Sequence, residues 1–213
     1  MAFLGNDVRV IAARFISRTG GEAAFFVGIW GKAAYEFDAT AGQIAVLMAA
    51  LGVSGLMGSA VSGMLIDRFG PRRVLMGSEV AFVPATLAVV ATSGMTTMTA
   101  AVFFFGLFAM PAYTALASFP PSLTDDANRL AKLNAAVETA GMAALISGSA
   151  LGAAMAAWLT VDWVFYLDAA TSLVAVALVW GVRTRDVARS ERERAGGLAE
   201  IRAGFRYVYS HHR

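Results

Sequence analysis

The stretch VAFVPATLAVVATSGMTTMTAAVFFFGLFAMPAYTALASFPPSLT, residues 80–124, contains no charged side chain. The hydrocarbon core of a bilayer is about 30 Å thick and is crossed by about 20 helical residues, so a run of this length is enough for two crossings. Ser93-Gly94 divides it at a turn-forming pair. Two further charge-free runs, Ala39–Ile66 and Thr139–Val161, are each long enough to cross once. A helix on a soluble core must turn one face to water, and these runs have no such face. None alternates apolar and polar residues over ten positions, which excludes the strands of a membrane barrel.

Composition agrees with this arrangement. Apolar residues make up 58% of the 213 positions and charged residues 15%, with a mean hydropathy of +0.63. Soluble domains run near about 45–50% apolar and about 25% charged, so the chain is assigned to the membrane. The absence of cysteine excludes disulfides, thiolate chemistry and thiol-ligated metals. The only histidines, His211 and His212, close the chain and form no metal site or catalytic base. No glycine-rich phosphate loop with a following lysine is present, which argues against ATP drive. No catalytic residue, metal or cofactor is expected. The pI near 9.2 does not imply a nucleic-acid partner, because the basic residues lie beside the hydrophobic runs. The N-terminus lacks the basic region and cleavage site of a signal peptide, so the first hydrophobic segment should remain as a membrane helix.

The reading is an all-α membrane protein with six spans, about 10–34, 43–66, 74–92, 98–118, 130–159 and 163–182. Phe119-Pro120-Pro121-Ser122 is expected to end the fourth span, since prolines remove amide donors and disfavour helix before them. Residues 183–213 follow as a basic, amphipathic cytoplasmic linker, with Leu198, Ile201, Phe205 and Val208 on one helical face. With the N-terminus inside, sixteen of the 17 basic residues lie on the cytoplasmic side, leaving Lys32 alone outside. Both termini are therefore expected in the cytoplasm, with the chain in an inner (plasma) membrane. Trp30, Tyr35, Phe37, Trp158, Trp163 and Tyr166 then gather near the outer face as an aromatic belt. Small residues recur every four positions at Gly55, Ser59 and Gly63, and again at Ala144, Gly148, Gly152 and Ala156. Such stripes let helices approach in lipid; either they pack statically or they slide during transport.

The loop between the second and third spans reads Gly63-Met64-Leu65-Ile66-Asp67-Arg68-Phe69-Gly70-Pro71-Arg72-Arg73. Gly63 would let the end of span two approach a neighbour, and Gly70 would permit the chain reversal. Asp67 can pair with Arg68 or Arg72, or face the positive end of a nearby helix. The loop closely resembles the signature Gly-x-Leu-x-Asp-Arg-x-Gly-Arg-Arg/Lys of the major facilitator superfamily, at the place that family carries it. Pro71 departs from the pattern. The resemblance implies one six-helix repeat of a transporter, with Gly63, Asp67, Arg68, Gly70, Arg72 and Arg73 forming a cytoplasmic gate. Residues 144–153 weakly resemble the fifth-span motif of drug exporters, with Ser149 replacing its proline. Gly21-Glu22, the Asp168–Thr171 run and the basic tail are similar to the enterobactin-exporter and macrolide-efflux branch. The function implied is proton-coupled efflux of a small lipophilic or amphipathic compound. A small-solute importer of the same fold and a non-transporting six-helix scaffold remain alternatives. The expected partners are the substrate, the bilayer, and a C-terminal six-helix half or a second copy, because the chain stops where a second half would begin.

Ionisable groups inside spans are costly and therefore candidates for function. Arg14, Arg18 and Glu22 share a four-residue stripe on span one. Glu22 with Arg18 either couples to a proton or substrate, or merely neutralises it while the arginines reach the inner interface. Glu138 and Asp168 are further coupling candidates. Glu79 is expected to pair with the loop arginines as a structural partner.

Overall fold

Proline and glycine set the helix boundaries. The computed structural model describes residues 5–184, all of whose regular structure is helical. Thr40 starts α2 (Ala41–Phe69) with a reciprocal cap, its side chain accepting from the Gln43 amide while Gln43 accepts from the Thr40 amide. Gly70, at φ 79°, ends α2 and turns the chain, and Pro71 opens α3 (Pro71–Val90), where its missing N–H costs no helical bond. The helices α4 (Met95–Ala117), α5 (Phe119–Leu123), α6 (Ala127–Trp158) and α7 (Asp162–Trp180) follow. Five helices, α2, α3, α4, α6 and α7, are long and apolar enough to cross a membrane.

One expectation about the spans is corrected. The first predicted span is not one continuous α-helix. Its α-helical part, α1 (Gly5–Ala23), passes into π-helical turns over Ala24–Ile29 and Lys32–Glu36. The looser winding keeps Ala24, Ile29 and Ala33, spaced five and four apart, buried on one side. The fourth span ends at Ala117, just before Phe119-Pro120-Pro121-Ser122 as expected, and the prolines occupy the first turn of the short α5. The linker with Leu198, Ile201, Phe205 and Val208 lies outside the described residues, as do His211 and His212.

Packing follows a repeated plan. Helix α1 lies against α6 and α7, α4 lies against α2 and α3, and α3 meets α7. Exchanging α1 with α4, α2 with α6 and α3 with α7 reproduces the same neighbours. This is the pattern of two three-helix repeats within one six-helix unit. Small residues make each close seam. A side chain at Gly148 would strike the Thr19 carbonyl, and a Cβ at Gly152 would stand 3.0 Å from that of Ala23. On α2 the buried stripe is Ser54, Gly58 and Ser62, and a Cβ at Gly58 would come within 2.8 Å of Leu107 O and Met110 Cβ on α4. Gly55, Ser59 and Gly63, expected to pack, sit one position further round. Nothing lies within 4 Å of a Cβ built at Gly55 or Gly63, and Ser59 is exposed.

These seams separate two glycines of like appearance. Gly148→Ala is expected to lower stability by about 1–3 kcal/mol, because α1 cannot recede without breaking its other contacts. Gly55→Ala should be neutral or stabilising by up to about 1 kcal/mol. Thermal unfolding in detergent measures both, and equal effects would refute the assignment of faces.

Candidate functional site: a charged cavity beside α1

A cavity of about 520 Å³ lies between α1, α3, α4, α6 and α7. Most of its wall is apolar, from Phe25, Phe82, Phe105, Met110 and Leu145 among others. The polar wall is chiefly α1, whose helical spacing puts Arg14, Ser17, Arg18, Gly21 and Glu22 on the cavity side. Arg18 Nε lies 2.7 Å from Glu22 Oε1 as an ion pair, though not aligned as a hydrogen bond. Arg14 does not reach out to an interface as the sequence allowed. It is 1% exposed, packs against the bare backbone of Gly141, and holds Glu138 at 3.9 Å. Glu138 itself is mostly exposed. Both guanidiniums lie over one ring, with Arg14 Cζ 4.4 Å and Arg18 Cζ 5.1 Å from the Tyr113 centroid. The ring's negative face is attractive to two cations whose solvation has been stripped away.

Helices α3 and α7 add two carboxylates beside α1. Glu79 does not pair with the loop arginines. It is buried, and Ser17 Oγ donates to its Oε1 at 2.6 Å. From α3 it points to α1 rather than to the loop, because residue 79 stands two turns beyond Pro71 on the buried face that also carries Leu75 and Phe82. Asp168 is fully buried on α7, and Thr86 Oγ1 donates to its Oδ2 at 2.8 Å. Its Oδ1 has no hydrogen bond. Gly20 lets α1 press onto the backbone of Asp168, where a Cβ would come within 2.8 Å of the Asp168 Cα.

The loop motif lies apart from this cavity. Arg72 reaches α7, its Nε donating to Val179 O at 3.4 Å and its Nη2 to Trp180 O. A cation there satisfies carbonyls that the helix end leaves free. Arg68 lies over the Phe69 ring at 5.2 Å, while Asp67 and Arg73 are exposed. Sequence reading missed the ring of Tyr113, whose signal was an aromatic with a polar tip in a charge-free span. It also missed a knot in the π-helical turns beyond α1. Lys32 is fully buried, and its Nζ lies 2.9 Å from both Glu36 carboxylate oxygens and from Asp162 Oδ1. The signal there was a lone cation in an otherwise acidic or apolar segment. The described residues contain no cluster of His, Cys, Asp and Glu able to hold a metal ion.

A bundle of apolar helices around an amphipathic cavity defines a multi-pass membrane protein. The Major Facilitator Superfamily matches the chain over residues 10–212, and the chain belongs to that family of membrane transporters. No curated protein matches the chain significantly.

Tyr113 offers a direct check on this geometry. Tyr113→Phe keeps the ring beneath both arginines, whereas Tyr113→Leu removes it. The leucine variant should be about 1–2 kcal/mol less stable than the phenylalanine variant, a difference readable by thermal unfolding. Equal stability would mean that the ring contributes only bulk.

Proposed function

We propose that the chain works as one six-helix half of a secondary active transporter that exports a small lipophilic or amphipathic compound in exchange for protons. The observation that carries this reading is the cavity itself. Its volume of about 520 Å³ suits a drug-sized molecule, with an aromatic and aliphatic wall for the body of the compound and a charged wall for its polar end. Substrate sites of such transporters lie between two six-helix units that rock about them. The second unit is a C-terminal half or a second copy. Helix α2 supports this, because only 17% of its most apolar window is buried within the unit and its Gly55–Ser59–Gly63 stripe faces outward. The sequence resemblance to enterobactin and macrolide exporters supports the outward direction.

Asp67, Arg68, Arg72 and Arg73 act in this reading as the cytoplasmic gate, with Gly63 and Gly70 shaping the loop. Arg72 supports the assignment by tying the loop to the end of α7. The Arg18–Glu22 pair faces the substrate and reorganises as the cavity opens. Both termini lie in the cytoplasm and the protein sits in the inner (plasma) membrane.

Transport is tested with the full-length protein in inverted vesicles and a lipophilic aromatic dye as probe. Dye should accumulate when the lumen is acidic and leave when a protonophore collapses the gradient. Accumulation that ignores the gradient would rule out proton exchange, and accumulation only in right-side-out vesicles would indicate import. Glu22→Gln should slow the initial flux by about tenfold or more, a loss of about 1.4 kcal/mol or greater.

Orientation has its own test, made simple by the absence of cysteine from these 213 residues. Ser93 and Asn128 are exposed at opposite ends of α4-linked segments. A membrane-impermeant maleimide on intact cells should label Ser93→Cys and leave Asn128→Cys unlabelled until the membrane is opened. The reverse pattern would place the termini outside.

A further inference from the structure

Two cations in the cavity have carboxylate partners, and two carboxylates there form no ion pair among the described residues. Arg18 is matched by Glu22 and Arg14 by Glu138. Glu79 accepts the Ser17 hydroxyl and Asp168 the Thr86 hydroxyl. Other groups facing this region are few. Helix α1 presents Arg14, Arg18 and Glu22, α4 presents the Tyr113 phenol, and α6 presents Glu138. None of them forms an ion pair with Asp168 among the described residues.

We propose that Asp168 is the proton-binding site of this chain, with the transported proton carried on Oδ1 and Glu79 as the neighbouring carboxylate. The proposal rests on the reading of proton-coupled transport and names the group within it. It moves the role from Glu22, which is engaged by Arg18, to a carboxylate that forms no ion pair among the described residues.

The two oxygens of Asp168 are not equivalent. Oδ2 accepts the Thr86 hydroxyl, so its lone pairs are already directed. Oδ1 is fully buried and accepts nothing. It faces Gly21, where even a Cβ would stand 3.9 Å away, so the missing side chain leaves room before it. Two buried carboxylates facing one cavity, neither with an ion-pair partner of its own, are costly to keep as anions together. A proton added at Oδ1 removes one negative charge and converts an unsatisfied acceptor into an O–H facing the cavity. When water enters from the opened side, the same proton returns to a water oxygen and Asp168 regains its charge. Thr86 keeps the carboxyl oriented in both states, which makes it a positioning residue.

Infrared spectroscopy of the full-length protein in lipid, titrated from acid to alkaline pH, tests this without any substrate. Solvated carboxyls also protonate in acid, so the band read is the component at the high-frequency end of the carboxylic-acid carbonyl region, where buried acids absorb, and it should be present in acid and vanish as pH rises. Asp168→Asn should abolish that band, while Glu22→Gln should retain it. Thr86→Ala keeps the carboxyl and removes the donor to Oδ2, so it should shift the band in frequency; it also reads the site should Asp168→Asn fail to fold. A titrating band that survives Asp168→Asn, disappears in Glu22→Gln or is unmoved by Thr86→Ala overturns the assignment. So does the absence of any titrating band, or its loss on adding sodium at constant pH, which would make the site one for a metal cation. The spectrum reads the site and the dye assay reads coupling: a band behaving as expected in a protein whose flux ignores the gradient leaves the site standing and removes the transport reading.

Discussion

The close approach of α1 to α6 and α7 is the constraint on which the cavity depends. Lipid offers no hydrophobic force between helices, so contact has to come from dispersion at short range. Gly148 and Gly152 accept the backbone of α1 on one side, and Gly20 carries α1 onto α7 on the other. A helix held at this distance cannot move its charged stripe out to water. Arg14 then has to find Gly141 and Tyr113, and Glu22 has to find Arg18. The glycines thus fix where the charges sit, although they carry no charge themselves.

That approach explains the electrostatic layout as well. A buried guanidinium without a partner is more costly than one held by a carboxylate or over an aromatic face. Both arginines have each kind of support, and the shared ring of Tyr113 brings the two like charges to one place. The cost of that crowding is offset by Glu22 and Glu138 on either side. Beyond α1, in the π-helical turns, the same rule applies in mirror image, where one buried lysine is shared by Glu36 and Asp162. This knot joins those turns to the start of α7.

Fold class was legible because hydrocarbon thickness imposes a length and forbids charge over it, and residues 80–124 show both properties. The family was legible from the Gly63–Arg73 loop, where glycines and an embedded aspartate occur at fixed spacing. Faces were less legible. Ser54, Gly58 and Ser62 and Gly55, Ser59 and Gly63 have the same period and nearly the same composition, and only the neighbour decides which is buried. A four-residue period gives the axis of a stripe without its azimuth when both candidates are small. Glu79 was misjudged for a related reason: its distance along the chain from Arg72 is short, but its direction around α3 points to Ser17. The π-helical turns after Ala23 leave no sequence mark, since their register follows from the helices they touch. Arg18, Glu22, Asp168 and Glu138 were all identifiable as charges within spans. Which of them have partners was not, because partners come from other helices.

The two three-helix repeats share a packing plan and differ in chemistry. Helices α1 and α4 occupy equivalent places, yet α1 brings two arginines and a glutamate to the cavity while residues 95–117 of α4 bring no charge at all. A symmetric scaffold lined symmetrically would bind either a wholly apolar or a wholly polar solute. Dividing the chemistry between equivalent helices gives the cavity a charged side and a greasy side at little cost to the packing. Tyr113 is the point of contact between the two, an aromatic from the apolar helix turned toward the cations of the polar one.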